Sequence, residues 1–169
     1  MKKRIGGVVL LCFFVVMLIT ISIPVTASAD DLSLSVTTDM PHYIWLFQKA
    51  SITLTLKNNG NNNVTITFPS TQRFDIEITR LKNNRTVFRW SEGRIFILIM
   101  SNITIPANGS VSWTYDWYQR GNIFRHEMPV GFSYPVLPGV FRIKGIISVV
   151  GMEFNTTKEI KVGPIFLIQ

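Results

Sequence analysis

From residue 32 onward the chain alternates apolar and polar residues in short runs, and a period of two can bury only one face of an extended strand. Leu32, Leu34 and Val36 alternate with Ser33, Ser35 and Thr37. The same rhythm recurs at Ile52–Leu56, Val64–Phe68, Phe74–Ile78, Val111–Trp117 and Phe141–Val149, with Ile146 out of step. Val87–Trp90, Ile95–Met100 and Ile160–Val162 add three shorter apolar segments. The polar positions are rich in Thr, whose branched Cβ suits a pleated surface. No stretch beyond the N-terminal region sustains a 3.6-residue period. The expected fold is all-β, an antiparallel sandwich in which two sheets each bury one face against the other.

Turn-forming residues separate the runs. Asn58-Asn59-Gly60 reads as a hairpin turn, and Ser91-Glu92-Gly93 and Asn108-Gly109 as further turns, because Asn and Gly tolerate positive φ. Two segments break the pattern. Ile95–Met100 reads as a strand that is apolar on both faces, either covered twice or offered to a partner. Gln119–Pro138 lacks alternation and carries Pro129, Pro135 and Pro138 among Phe124, Phe132, Tyr134 and Leu137. Loops of that length inside a small domain are often functional.

The first 29 residues are of another kind. Lys2-Lys3-Arg4 precedes an apolar run from Ile5 to Ile19, Pro24 interrupts it, and Ala27-Ser28-Ala29 supplies small residues in the spacing of a cleavage site. This is the pattern of a signal peptide, with an uncleaved anchor helix as the alternative. Either reading divides the chain into a leader at 1–29 and one domain at 30–169, and predicts an extracellular or cell-surface location. Membrane association is expected only if the leader is retained. Five Asn-x-Ser/Thr sequons, at Asn63, Asn84, Asn102, Asn108 and Asn155, are candidate N-glycosylation sites on that reading.

Composition narrows the chemistry. The net charge of +7 falls to +4 without Lys2, Lys3 and Arg4. No basic run remains, so nucleic acid is not an expected partner. Cys12 is the single cysteine and lies in the leader, which leaves the domain without disulfide, thiol nucleophile or Cys-bound zinc. His42 and His126 stand in no metal-ligand spacing. Asp75 and Glu77 point to one side of a strand and read as a solvated face. Asp116, between Tyr115 and Trp117, reads as an outward residue. These features point to a non-enzyme without cofactor or metal. Trp90 and Trp113 fall on apolar faces and are expected in the core.

The stretches Leu54-Thr-Leu-Lys-Asn-Asn-Gly60, Val64-Thr-Ile-Thr-Phe-Pro-Ser70, Gln72-Arg-Phe-Asp-Ile-Glu-Ile78 and Val87-Phe-Arg-Trp-Ser-Glu-Gly-Arg-Ile-Phe96 follow one another in a familiar order. With Ile105–Ser110, Trp117 and Pro138–Gly145, the region resembles the intracellular proteinase inhibitor (BsuPI) domain family over nearly the whole domain. The resemblance implies an Ig-like sandwich and, as partner, a subtilisin-like serine protease. The chain departs from the family in its leader, in the length of Gln119–Pro138, and in Ile44-Trp45-Leu46-Phe47 where such modules often carry Gly-Glu. No inhibitory residue is carried over from the family.

Two functions are compatible with these features. A protease inhibitor would present an extended loop, and the proline-stiffened segment around Phe132, Tyr134, Pro135 and Leu137 is the expected partner-binding site. The alternative is a cell-surface Ig-like adhesion or assembly module, for which Ile95–Met100 would be the contact. A carbohydrate-binding module is a weaker third reading, since Val111 shares the face of Trp113, Tyr115 and Trp117.

Overall fold

The alternating runs pair into two facing sheets. The computed structural model describes residues 31–39, 43–45, 48–122 and 133–163, with backbone alone at 43–45. The expected leader at 1–29 lies outside them. Twelve strands follow in chain order: β1 Leu32–Thr38, β2 Tyr43–Trp45, β3 Ala50–Asn58, β4 Val64–Phe68, β5 Asp75–Arg80, β6 Arg85–Arg89, β7 Ser101–Ile105, β8 Ser110–Trp117, β9 Arg120–Gly121, β10 Tyr134–Pro135, β11 Gly139–Val149 and β12 Met152–Gly163. One sheet has the order β1-β3-β8 and the other β2-β12-β11-β5-β6. The pairs β4-β7 and β9-β10 complete the fold. All pairs are antiparallel except β2 with β12, which run parallel.

The buried side chains form two clusters. The first takes Ile52 and Leu54 from β3, Ile76 and Ile78 from β5, Phe88 from β6, Trp117 from β8, and Phe141 and Ile143 from β11. The second takes Leu56, Ile66, Phe68, Ile105 and Ile147, so β4 and β7 close one end of the sandwich. The layers meet closely at Gly145 on β11, where an added Cβ would stand 2.2 Å from Leu54 Cδ2. Trp117 is fully buried and donates its indole N–H to Arg120 O at 3.0 Å. Trp90 and Trp113 are only partly buried and pack on the flanks of the clusters. The tryptophan at the centre of the core is therefore Trp117. Alternation had assigned the face of each ring but not its depth.

Several turns connect sheets rather than close hairpins. β3 and β4 do not pair, so Asn58-Asn59-Gly60 is a corner and not the hairpin turn expected. Asn58 is buried at that corner and donates its Nδ2 to Asn62 O, Ile105 O and Pro106 O, tying β3 to the turn after β7. Asn108, with φ 56°, makes a second such corner between β7 and β8. The hairpins are β5-β6, turning through Leu81–Asn83 and Asn84 at φ 48°, and β11-β12, turning at Gly151 with φ 83°.

Ile95–Met100 is not a strand. Isoleucine favours strands because it fits a half-buried pleated surface. Here the β5-β6 ladder has ended, and among the described residues the segment pairs with no strand.

Candidate functional site

The segment between β6 and β7 is built in three steps. At its base Asp75, the first residue of β5, is buried and accepts four hydrogen bonds. They come from Ile76 N at 2.9 Å, Arg89 Nε at 2.8 Å, Ser91 N at 3.0 Å and Ser91 Oγ at 2.7 Å. Asp75 is thus a structural carboxylate and not part of a solvated face with Glu77. It draws the chain after β6 into a turn, in which Arg94 N donates to Ser91 O and Gly93 takes φ 71°.

Aromatic packing holds the next step. Trp90 lies 4.4 Å from Phe74 and 5.6 Å from Phe96, centroid to centroid. Arg94 closes over the outer face of Trp90, with its guanidinium carbon 4.5 Å from the ring centroid and its Nε donating to Trp90 O at 2.8 Å. Phe96 is consequently the only residue of Ile95–Met100 that is half-buried.

The third step is a clamp from the β4-β5 connection. Thr71 N donates to Ile97 O at 2.9 Å, and Ile97 N donates to Thr71 Oγ1 at 3.0 Å. Ile99 N also donates to Ile97 O, at 2.9 Å. An N–H two residues beyond the carbonyl it bonds closes a γ-turn centred on Leu98. Leu98 has no positive φ, so the turn is of the common inverse kind. The clamp leaves five apolar side chains in solvent, with exposures of 96% for Ile95, 61% for Ile97, 87% for Leu98, 58% for Ile99 and 65% for Met100. A row of large apolar residues this open is a candidate interaction surface.

The residues expected from the sequence to bind a partner lie elsewhere on the surface. Phe132 lies outside the described residues. Tyr134 packs on Gly121, where a Cβ would stand 2.3 Å from the ring, and its hydroxyl donates to Val87 O at 3.2 Å. Tyr134-Pro135 pairs with Arg120-Gly121, Val136 is buried, and Arg80 donates to the carbonyls of Leu137 and Pro138. Pro135 and Leu137 remain exposed, Leu137 at 69%. They border a cavity of about 270 Å³ with Arg80 and Arg85. Arg80 is the register partner of Arg85, so this patch lies at the opposite end of β6 from Ser91. The structure does not bring the two patches together.

Elsewhere the ionic groups serve the fold. Asp116 pairs with Lys49 at 2.8 Å and accepts from Ser51 Oγ at 2.6 Å. The hydrogen bonds from Lys49 and then Ser51 hold its carboxyl below the usual range, and Asp116 raises Lys49 in turn. Burial pushes the Tyr115 phenol up. Among the described residues no group of His, Cys, Asp and Glu could hold a metal ion, and no helix is long and apolar enough to cross a membrane.

A family model described as BsuPI, intracellular proteinase inhibitor, matches residues 43–152, nearly two thirds of the chain. No curated protein matches at a significant level. Solved structures resemble parts of the fold. A β-glucosidase from Listeria innocua is 13% identical with TM-score 0.42, over 78% of this chain and 16% of that one. The CARDB domain of a Pyrococcus furiosus protein is 14% identical with TM-score 0.38, over 79% and 90%. The sporulation control protein Spo0M of Bacillus subtilis is 11% identical with TM-score 0.42, over 78% and 49%. The chain spans less than a third of the glucosidase, and at these scores none of the three bears on function.

The family match corrects the expected location. An intracellular inhibitor family is at odds with an extracellular or cell-surface protein. The sequons had supported the exterior reading, but the fold accounts for four of their asparagines. Asn84 and Asn108 occupy left-handed turn positions. Asn63 Oδ1 accepts from Ala107 N at 3.1 Å, and Asn102 Oδ1 accepts from Thr67 Oγ1 at 2.9 Å. Asn155 is exposed on β12, opposite Ile146. Asparagines at turns and on strands rich in Thr and Ser produce the sequon pattern whatever the compartment.

Proposed function

Because the chain belongs to the BsuPI family of intracellular proteinase inhibitors, we propose that it is a non-enzymatic inhibitor that blocks the cleft of a subtilisin-like serine protease with Ile95–Met100. The observation that carries this reading is the fixed display of five apolar side chains on a segment held by Asp75, Trp90 and Thr71. A segment already ordered in the free protein loses little entropy on binding, and its affinity gains accordingly. Among the described residues the backbone N–H and C=O groups of Phe96 and Leu98 carry no hydrogen bond. They are available to pair with the edge of a protease cleft as an added strand would.

Pro135 and Leu137 support a second reading, in which the patch beside Arg80 makes the contact. One experiment separates the two. Ile95–Met100 and, separately, Phe132–Leu137 are replaced by Gly-Ser segments of equal length, and each protein is titrated against a subtilisin. Loss of inhibition with the first replacement alone, at an unchanged melting temperature, is the expected result. Loss with the second alone moves the site to Leu137. Full inhibition by both replaced proteins rejects both surfaces.

A further inference from the structure

We infer that Leu98 is the side chain that enters the primary specificity pocket of the protease, and that the protease is one whose pocket takes an apolar residue and not a basic one. This rests on the inhibitor reading of Ile95–Met100.

The γ-turn selects Leu98. In an extended segment Phe96 and Leu98 would point the same way, and Phe96 points inward onto Trp90. The bond from Ile99 N to Ile97 O reverses the chain direction around Leu98 and turns its side chain outward. Its neighbours are fixed, because Ile97 is bonded through both its N–H and its C=O. Leu98 thus stands at the tip of a braced turn with its own backbone groups unpaired among the described residues.

Side-chain shape points the same way. Ile95, Ile97 and Ile99 branch at Cβ and are widest next to the backbone. Leu98 branches one carbon further out, so it can pass the neck of a slot that opens at backbone level and fill the space beyond. Ile95 is slightly more exposed, but no backbone hydrogen bond among the described residues fixes it.

The competing anchor is Arg94, which would suit a protease with an acidic pocket. Its guanidinium is already engaged by the Trp90 ring and the Trp90 carbonyl. Entering a pocket would require it to abandon both, and would uncover Trp90.

The test uses the full chain as wild type, as Leu98→Ala, Leu98→Lys and Arg94→Ala, and with Ile95–Met100 replaced by Gly-Ser. Each is titrated against a subtilisin and against trypsin, with melting temperature as the control for folding. The wild type should inhibit the subtilisin and not trypsin. Leu98→Ala should weaken inhibition by about 10- to 100-fold, the worth of one buried leucine side chain. Leu98→Lys should lose the subtilisin and gain trypsin. Equal inhibition by wild type and both Leu98 variants, with loss only on segment replacement, overturns the role of Leu98 and leaves the inhibitor reading standing. Trypsin inhibition by the wild type that disappears in Arg94→Ala overturns it in favour of Arg94. Unchanged inhibition by the segment replacement overturns this inference together with the assignment of inhibition to Ile95–Met100, and absence of subtilisin inhibition by the wild type overturns the inhibitor reading itself.

Discussion

Thr71 grips the peptide of Ile97 from both sides, donating its N–H to the Ile97 carbonyl at 2.9 Å and accepting the Ile97 N–H on its hydroxyl at 3.0 Å. The two residues are 26 positions apart, and the grip is what turns an apolar segment into a fixed display. Thr71→Val removes the hydroxyl and keeps the shape. The expected cost in stability is about 1 kcal/mol or less, since the bond is exposed. The Ile97 amide should exchange faster with solvent, and inhibition should fall several-fold. An unchanged exchange rate at Ile97 would show that the backbone bond alone holds the segment.

Asp75 should behave as a structural carboxylate. Asp75→Ala leaves Arg89, Ser91 and the Ile76 N–H without their shared acceptor. The expected destabilisation is about 3 kcal/mol, measured by denaturant unfolding. Inhibition should weaken beyond what the unfolded fraction explains, because the turn at Ser91 is released. A loss below about 0.5 kcal/mol, the range of ordinary surface substitutions, would place Asp75 in solvent instead.

The core should rank its tryptophans by depth. Trp117→Ala is expected to cost about 3–5 kcal/mol, and Trp113→Ala distinctly less. Equal losses in matched urea melts would contradict the burial of Trp117 between Phe88 and Phe141.

Gly145 marks the closest approach of the two layers. A methyl group there must displace Leu54, which is itself fully buried. Gly145→Ala should destabilise by about 1–3 kcal/mol through overpacking, although alanine is otherwise the better residue in a strand. In a Leu54→Ala background the same Gly145→Ala change should cost less than in the wild type, because the methyl then enters space the leucine has left. A neutral Gly145→Ala would mean that the layers stand further apart.

The Lys49–Asp116 pair predicts a shallow acid dependence. Asp116 titrates lower in the folded chain, so its contribution is present above its unfolded value of 3.8 and is lost as pH falls through the folded value. Lys49 titrates higher, so its contribution is present below its unfolded value of 10.5 and is lost as pH rises through the folded value. Both side chains reach solvent, so salt should screen the effect. Asp116→Asn should flatten the fall of melting temperature from about pH 5 to pH 2. An identical acid limb in wild type and variant would leave the pair without a measurable role.

Alternation by itself determined the fold class and most of the strands. In β3, β4 and β11 the apolar residues at every second position are buried, because side chains on a strand have only two sides to point to, and the out-of-step Ile146 of β11 is buried as well. The resemblance carried by Gln72–Ile78 and Val87–Phe96 led to the family whose model matches residues 43–152. Depth and connection needed the tertiary structure. Trp113 and Trp117 share a face, and only the position of the second sheet decides which one is sealed. Asp75 looked like a surface carboxylate until β6 and Ser91 closed over it. Of β12, only Ile160–Val162 was legible, because the exposed half from Met152 onward is held by its pairing with β11 and not by burial. Ile95–Met100 was strand-like in composition, but a strand requires an edge to pair with. Its exposure was settled by the end of the β5-β6 ladder and by Thr71, and contacts between residues so far apart in the chain leave no local pattern to read.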